Sequence, residues 1–173
     1  MCYTIAPMRA RAGLIAVFLC ACGPSRPPLE PPSAGCLSGA PAVTGAALEV
    51  GRPDGDFGAL HGGDHVQMHL GPQGGQHFYV TLRLATLEAG DRRWRVETSF
   101  VPEDMSSSGP GFPDYSMACA PGWTEIKNAT TFIDTPDRRA GTLIVRAGLT
   151  TPDDLPLGST MTATIPVLVD PPQ

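Results

Sequence analysis

The sequence predicts an all-β fold, an immunoglobulin-like antiparallel β-sandwich of about seven strands, and three observations predict it. From Leu48 onward the apolar residues recur at every second position, not at helical spacing. The chain of 173 residues carries 19 prolines and 20 glycines, which disfavour helix interiors and suit tight turns. Turn signals separate the alternating segments and keep each one short. A small β-barrel is the alternative closure of the same strands.

The elements follow in order. Ala47 to Val50 opens the series. Val66, Met68 and Leu70 alternate with His65, Gln67 and His69, and Phe78, Val80, Leu82 and Leu84 alternate with His77, Tyr79, Thr81 and Arg83. Trp94, Val96, Thr98 and Phe100 form the next apolar face, and a short strand falls near Thr130 to Ile133. Leu143, Val145, Ala147 and Leu149 come next, and Met161, Ala163, Ile165, Val167 and Val169 close the series. Each strand thus has one face for a core and one for water, the habit of antiparallel sheets. Pro166 has no N–H for a ladder bond, which places the last strand at an edge. Glu88-Ala89-Gly90-Asp91 reads as a hairpin turn. Gly71-Pro72 starts another turn, and Gly74-Gly75 permits positive φ there. Pro102 to Gly122 has no period and reads as a long loop.

Ahead of the strands lies an export signal. Arg9 and Arg11 are a basic start, and Ala12 to Leu19 is an apolar run too short to span a bilayer. Leu19-Cys20-Ala21-Cys22 resembles the lipobox of bacterial lipoproteins, with a branched apolar residue, a permissive position, a small residue and the lipidated cysteine. The resemblance implies cleavage before Cys22 and lipid on that cysteine. Ordinary signal cleavage is the competing reading, and Pro24 disfavours its alternative bond. The expected organisation is a signal peptide over 1–21, a lipidated and proline-rich tether over 22–35, and a β-domain over 36–173. Gly23 to Pro32 holds five prolines, so that segment can extend roughly 30 Å as a semi-rigid stalk. Gly23 stands where some lipoproteins carry an inner-membrane retention aspartate, which favours the outer membrane of a Gram-negative cell, with the domain on the periplasmic or surface side.

Of five cysteines, Cys36 and Cys119 remain after the signal and the lipid site are set aside. In an oxidising compartment two thiols most simply pair with each other. Such a bridge is worth about 4 kcal/mol in the chain-entropy treatment. A catalytic or metal-binding cysteine is the alternative, though no Cys-x-x-Cys spacing supports it.

Charge and missing motifs narrow the function. Removing Arg9 and Arg11 from 12 basic residues leaves 10 against 17 acids, a balance of 10 − 17 = −7. An acidic domain is a poor partner for a phosphate backbone, so no nucleic-acid partner is expected. There is no Gly-x-Ser-x-Gly elbow and no His-Glu-x-x-His pair, and Asp54-Gly55-Asp56 lacks the glycine and glutamate spacing of a calcium loop. A non-enzymatic module is expected.

Two groups of residues stand out as candidate sites. All four histidines lie between His61 and His77. Pairing Met68 with Phe78 and Val66 with Val80 buries a consistent face and sets His69 opposite His77 on the wet one, about 5 Å apart at Cβ. Two imidazoles there could share copper or zinc, with a third ligand from His61, Asp64 or another loop. His65, four residues back along the strand, falls too far away to complete the site. Phe112, Tyr115 and Trp123 lie in or beside the long loop, as a ligand-contacting surface or as a cap on one end of the sandwich.

Gly71-Pro72-Gln73-Gly74-Gly75-Gln76-His77, with the strands flanking it from Leu48 to Glu88, resembles uncharacterised lipoproteins of GC-rich Gram-negative bacteria. Gly158 to Asp170 echoes the same group. The resemblance implies an envelope lipoprotein and brings no activity with it. The expected function is a membrane-anchored, non-enzymatic binding or structural domain that engages an envelope protein or ligand. The alternative is a periplasmic copper- or zinc-binding protein using the histidines of 61–77.

Overall fold

Alternating apolar residues become strands here because each pleated face needs a partner surface. The computed structural model describes residues 33–39, 42, 44–53, 55–71, 74–86, 92–103, 114–115, 122–133 and 139–172. The signal peptide, Cys22, the tether as far as 32, the Glu88–Asp91 turn, Phe112 and Cys119 lie outside the described residues. The strands are β1 (Ser33–Cys36), β2 (Ala47–Gly51), β3 (Asp64–Gln67), β4 (His69–Leu70), β5 (Gln76–Thr86), β6 (Arg93–Pro102), β7 (Asp114–Tyr115), β8 (Gly122–Ile133), β9 (Ala140–Thr150) and β10 (Pro156–Asp170).

They form two packed sheets, a β-sandwich and not a closed barrel. One sheet runs β1-β8-β5-β2, with β4 also on β5, and the other runs β3-β10-β9-β6-β7. In immunoglobulin lettering, β5 and β8 take the places of B and E, while β6, β9 and β10 take those of C, F and G. The described residues hold ten strands where seven were expected. One expected strand is split into β3 and β4, and the short strands β1 and β7 lie in segments read as tether and loop. Because Ser33, Ala34 and Gly35 pair with Lys127, Ile126 and Glu125, the β-domain begins ahead of the expected boundary at 36.

The split at Met68 is the main departure in topology. β3 lies parallel to β10, with Val66 beside Val169 and not beside Val80, whereas β4 lies antiparallel to β5 in the other sheet. Met68 sits at the crossing, 2% exposed, and its N–H donates to the Asp170 carbonyl. The chain therefore passes from one sheet to the other and covers one end of the sandwich's open side. Leu70, expected on the buried face, lies beyond that crossing and is 59% exposed.

Two further expectations are corrected. β5 and β6 belong to different sheets, so they are not the two arms of a ladder-bonded hairpin. β10 is not an edge strand throughout, since β9 flanks one side and β3 the other from Val167 to Asp170. Pro166 is accommodated because its polar backbone faces the loop just before β3 begins. Its carbonyl accepts from the Gly63 N–H at 2.9 Å, and Gly62 presents no side chain to the ring.

The core lies between the sheets. Phe78, Val80, Leu82 and Leu84 of β5 meet Trp94, Val96 and Phe100 of β6 and Leu143, Val145 and Ala147 of β9, all buried. Phe78 and Phe100 pack edge to face, with ring centres 6.0 Å apart. β8 keeps its apolar residues inward through a bulge. Between Val80 and Leu82 the register with β5 shifts, and Asn128 takes φ 55°, a left-handed conformation that asparagine tolerates.

Candidate functional site

The site grows from the β4–β5 hairpin. Gly71 and Gly75 close its turn, the Gly71 N–H donating to the Gly75 carbonyl at 2.7 Å, and Gly74 takes φ +80°. That turn sets His69 directly opposite His77 and Leu70 opposite Gln76. On the other side of β5, His77 faces Phe132 of β8 and Tyr79 faces Thr130. Side chains two residues apart share a strand face, so His69, His77, Tyr79 and Phe132 all lie on the outer face of this sheet.

Their rings form one cluster. His69 and His77 have ring centres 6.1 Å apart, and Tyr79 lies 5.2 Å from the first and 4.9 Å from the second. Phe132 stands 6.3 Å from His77 and is 46% exposed, whereas His77 is covered to 7%. His77 Nε2 and the Tyr79 hydroxyl are 2.8 Å apart. Burial lowers the His77 pKa, and the neighbouring His69 lowers it further, against a hydrogen bond to the Gly75 backbone that raises it. Burial also pushes the Tyr79 phenol up, so it holds its proton at neutral pH. The network that satisfies all three groups has Nδ1–H donating to the Gly75 carbonyl and the Tyr79 hydroxyl donating to Nε2.

The other histidines go elsewhere. His65 lies on β3 in the opposite sheet and pairs with Asp170 at 2.9 Å. Asp64 accepts from the His61 backbone N–H at 2.9 Å and meets Arg52 at 3.2 Å. The His61 hydrogen bond and the Arg52 charge together lower its pKa. Among the described residues no three His, Cys, Asp or Glu side chains come together to hold a metal. The expected pair His69 and His77 is thus brought together, and the expected third ligand from His61 or Asp64 is not. Tyr79, which completes the cluster, was missed as a site residue. Its signal was its place two residues after His77, on the same strand face.

The aromatic candidates also separate. Tyr115 does not face solvent. It lies opposite Trp94 in β7, 7% exposed, because the two-residue strand turns it into the core. Burial pushes its phenol up to about 12, and its hydroxyl is buried without a hydrogen-bond partner. Trp123 is half-buried on β8 opposite Ala85, and its carbonyl accepts from the Leu37 N–H at 3.0 Å. Cys36 is disulfide-bonded. It stands opposite Thr124, near the start of β8, and Thr124 follows the expected partner, Cys119, by five positions.

Farther along the same outer face, Arg83 bonds Glu125 at 2.8 Å and lies 4.0 Å from the Phe57 ring centre. Lys127 adds a longer contact to Glu125 at 3.7 Å. This is a polar ladder over a sheet.

No protein-family model matches the chain, and no curated protein matches it. Among solved structures it is similar to the N-terminal domain of PorA, at 10% identity and a TM-score of 0.31, over 73% of this chain and 100% of that one. A likeness of that order carries no functional argument.

Proposed function

We propose that the chain is a cell-envelope lipoprotein whose β-sandwich serves as a non-enzymatic binding or structural domain. The observation that carries this reading is the run from Arg9 to Cys22, a basic start, an apolar stretch and Leu19-Cys20-Ala21-Cys22. Acyl chains on Cys22 hold the protein to a bilayer, each buried methylene contributing about 0.8 kcal/mol. The proline-rich segment then stands the sandwich off the lipid surface, and the absence of an aspartate after Cys22 favours the outer membrane. A disulfide at Cys36 is in keeping with an oxidising compartment. Metabolic labelling with palmitate tests the anchor. Wild-type protein should take up label and sediment with membranes, and Cys22→Ala should take up no label and either leave the membrane or stay an uncleaved precursor. Unlabelled wild-type protein in the soluble fraction would overturn the reading.

A further inference from the structure

The His69–His77–Tyr79 cluster has the dimensions of a ligand set around one ion. Two ligand atoms about 2.0 Å from a metal and at right angles stand about 2.8 Å apart, against about 3.3 Å for tetrahedral geometry. His77 Nε2 and the Tyr79 oxygen are 2.8 Å apart. An imidazole ring centre lies about 3.2 Å from an ion bound to its nitrogen, so two imidazoles in trans positions have centres about 6.4 Å apart. The centres of His69 and His77 are separated by 6.1 Å. A phenol between them, at right angles to both, would set its ring centre roughly 5.5 Å from each imidazole. Tyr79 lies at 5.2 and 4.9 Å.

We propose that His69, His77 and Tyr79 form a copper(II) site, with the two imidazoles in trans positions, the phenol oxygen between them and the fourth corner open to water. Square-planar nitrogen and oxygen ligation suits copper(II). The surroundings of His77 fit the role as well. A metal-ligating histidine usually donates its other N–H to a carbonyl or carboxylate, which fixes the tautomer and aims the free nitrogen. Here the Gly75 backbone is that partner, and Gly71 lies beside the Nδ1 side, where a Cβ would stand 3.7 Å from that nitrogen. Copper takes the place of the Tyr79 hydroxyl proton, which leaves to solvent. One proton is released for each ion bound, with no change of oxidation state.

The test uses the full chain with its free thiols alkylated, titrated with copper(II) sulfate. Wild type should bind one ion, show nitrogen hyperfine structure from two imidazoles in electron paramagnetic resonance, and develop a phenolate-to-copper absorption band. Tyr79→Phe should lose the band, and His69→Ala should bind at least about tenfold more weakly. Both residues sit on the outer face, so these variants spare the core, whereas His77 is too deeply covered to truncate cleanly. No copper uptake by wild type, or an unchanged band and affinity in both variants, would overturn the site. Palmitate labelling does not depend on copper, so failure of the site leaves the anchor reading standing, and the reverse holds.

Discussion

The indole N–H of Trp94 on one sheet donates to the hydroxyl of Thr124 on the other across 3.1 Å, with both residues buried. The bond ties β6 to β8 across the interior, as does the Thr98 hydroxyl, which donates to the Thr130 carbonyl at 2.7 Å. Removing the acceptor leaves a buried donor without a partner, which costs about 1–3 kcal/mol. Thr124→Val, similar in shape, should lower the urea midpoint accordingly, and Thr124→Ser, which keeps the oxygen, should lose less. Equal midpoints for wild type and Thr124→Val would show that the bond contributes nothing net.

Gly141 on β9 is a position where only glycine fits. A Cβ there would lie 2.5 Å from Phe100 Cζ and 2.6 Å from the Val101 carbonyl oxygen, and the backbone atom cannot move without shifting β6. Gly141→Ala should therefore destabilise the sandwich by about 1–3 kcal/mol through overpacking. Gly122→Ala, with nothing within 4 Å of its Cβ, is the control and should change stability little. Chemical denaturation of the two variants side by side makes the comparison.

Tyr115 gives the fold a limit on the alkaline side. Its phenol ionises near 10.0 when free and near 12 in the folded chain because burial disfavours the charged form. The folded state thus holds the proton more tightly than the unfolded state. This contribution is fully present below pH 10 and is lost as pH rises toward 12, up to about 3 kcal/mol by linkage. Stability measured across that window should fall in wild type and fall less in Tyr115→Phe. At neutral pH the variant should be as stable as wild type or more so, since it removes a buried hydroxyl without a partner.

Non-reducing digestion of the full chain should release one linked peptide pair containing Cys36 and Cys119. Reduction should then cost about 4 kcal/mol, the expected worth of closing so long a loop. Isolation of both as free thiols from the envelope would contradict the pairing.

Most of the sandwich was legible in the period-two pattern, and the reasons for the exceptions are physical. Trp94, Val96 and Phe100, or Leu143, Val145 and Ala147, lie in strands long enough for their pattern to fix the buried face. Alternation says nothing about which sheet a strand joins, so the change of sheet at Met68 and the separation of β5 from β6 were not visible. Pro166 was read from its missing donor alone, and the loop that spares it that donor is a tertiary feature. The opposition of His69 and His77 followed from hairpin parity, although the wider register did not, because only two residues of β4 pair. Tyr79 lay on the same face by the same parity. Phe132 needed the β5–β8 register, which no local signal carries.

The direction of β1 sets how the domain would bear a pull from an anchor at Cys22. β1 runs antiparallel to β8, with Ser33 opposite Lys127 and Cys36 opposite Thr124, so the chain enters from the end where β8 runs on toward Ile133 and β5 begins at Gln76. A protein held at Cys22 would turn that end, with the histidine hairpin, toward the bilayer. Tension on the tether would act along the strand axis and shear β1 past β8, loading its backbone bonds together and not one after another. The covalent bond at Cys36, at the far end of the same strand, lies where that load would leave β1.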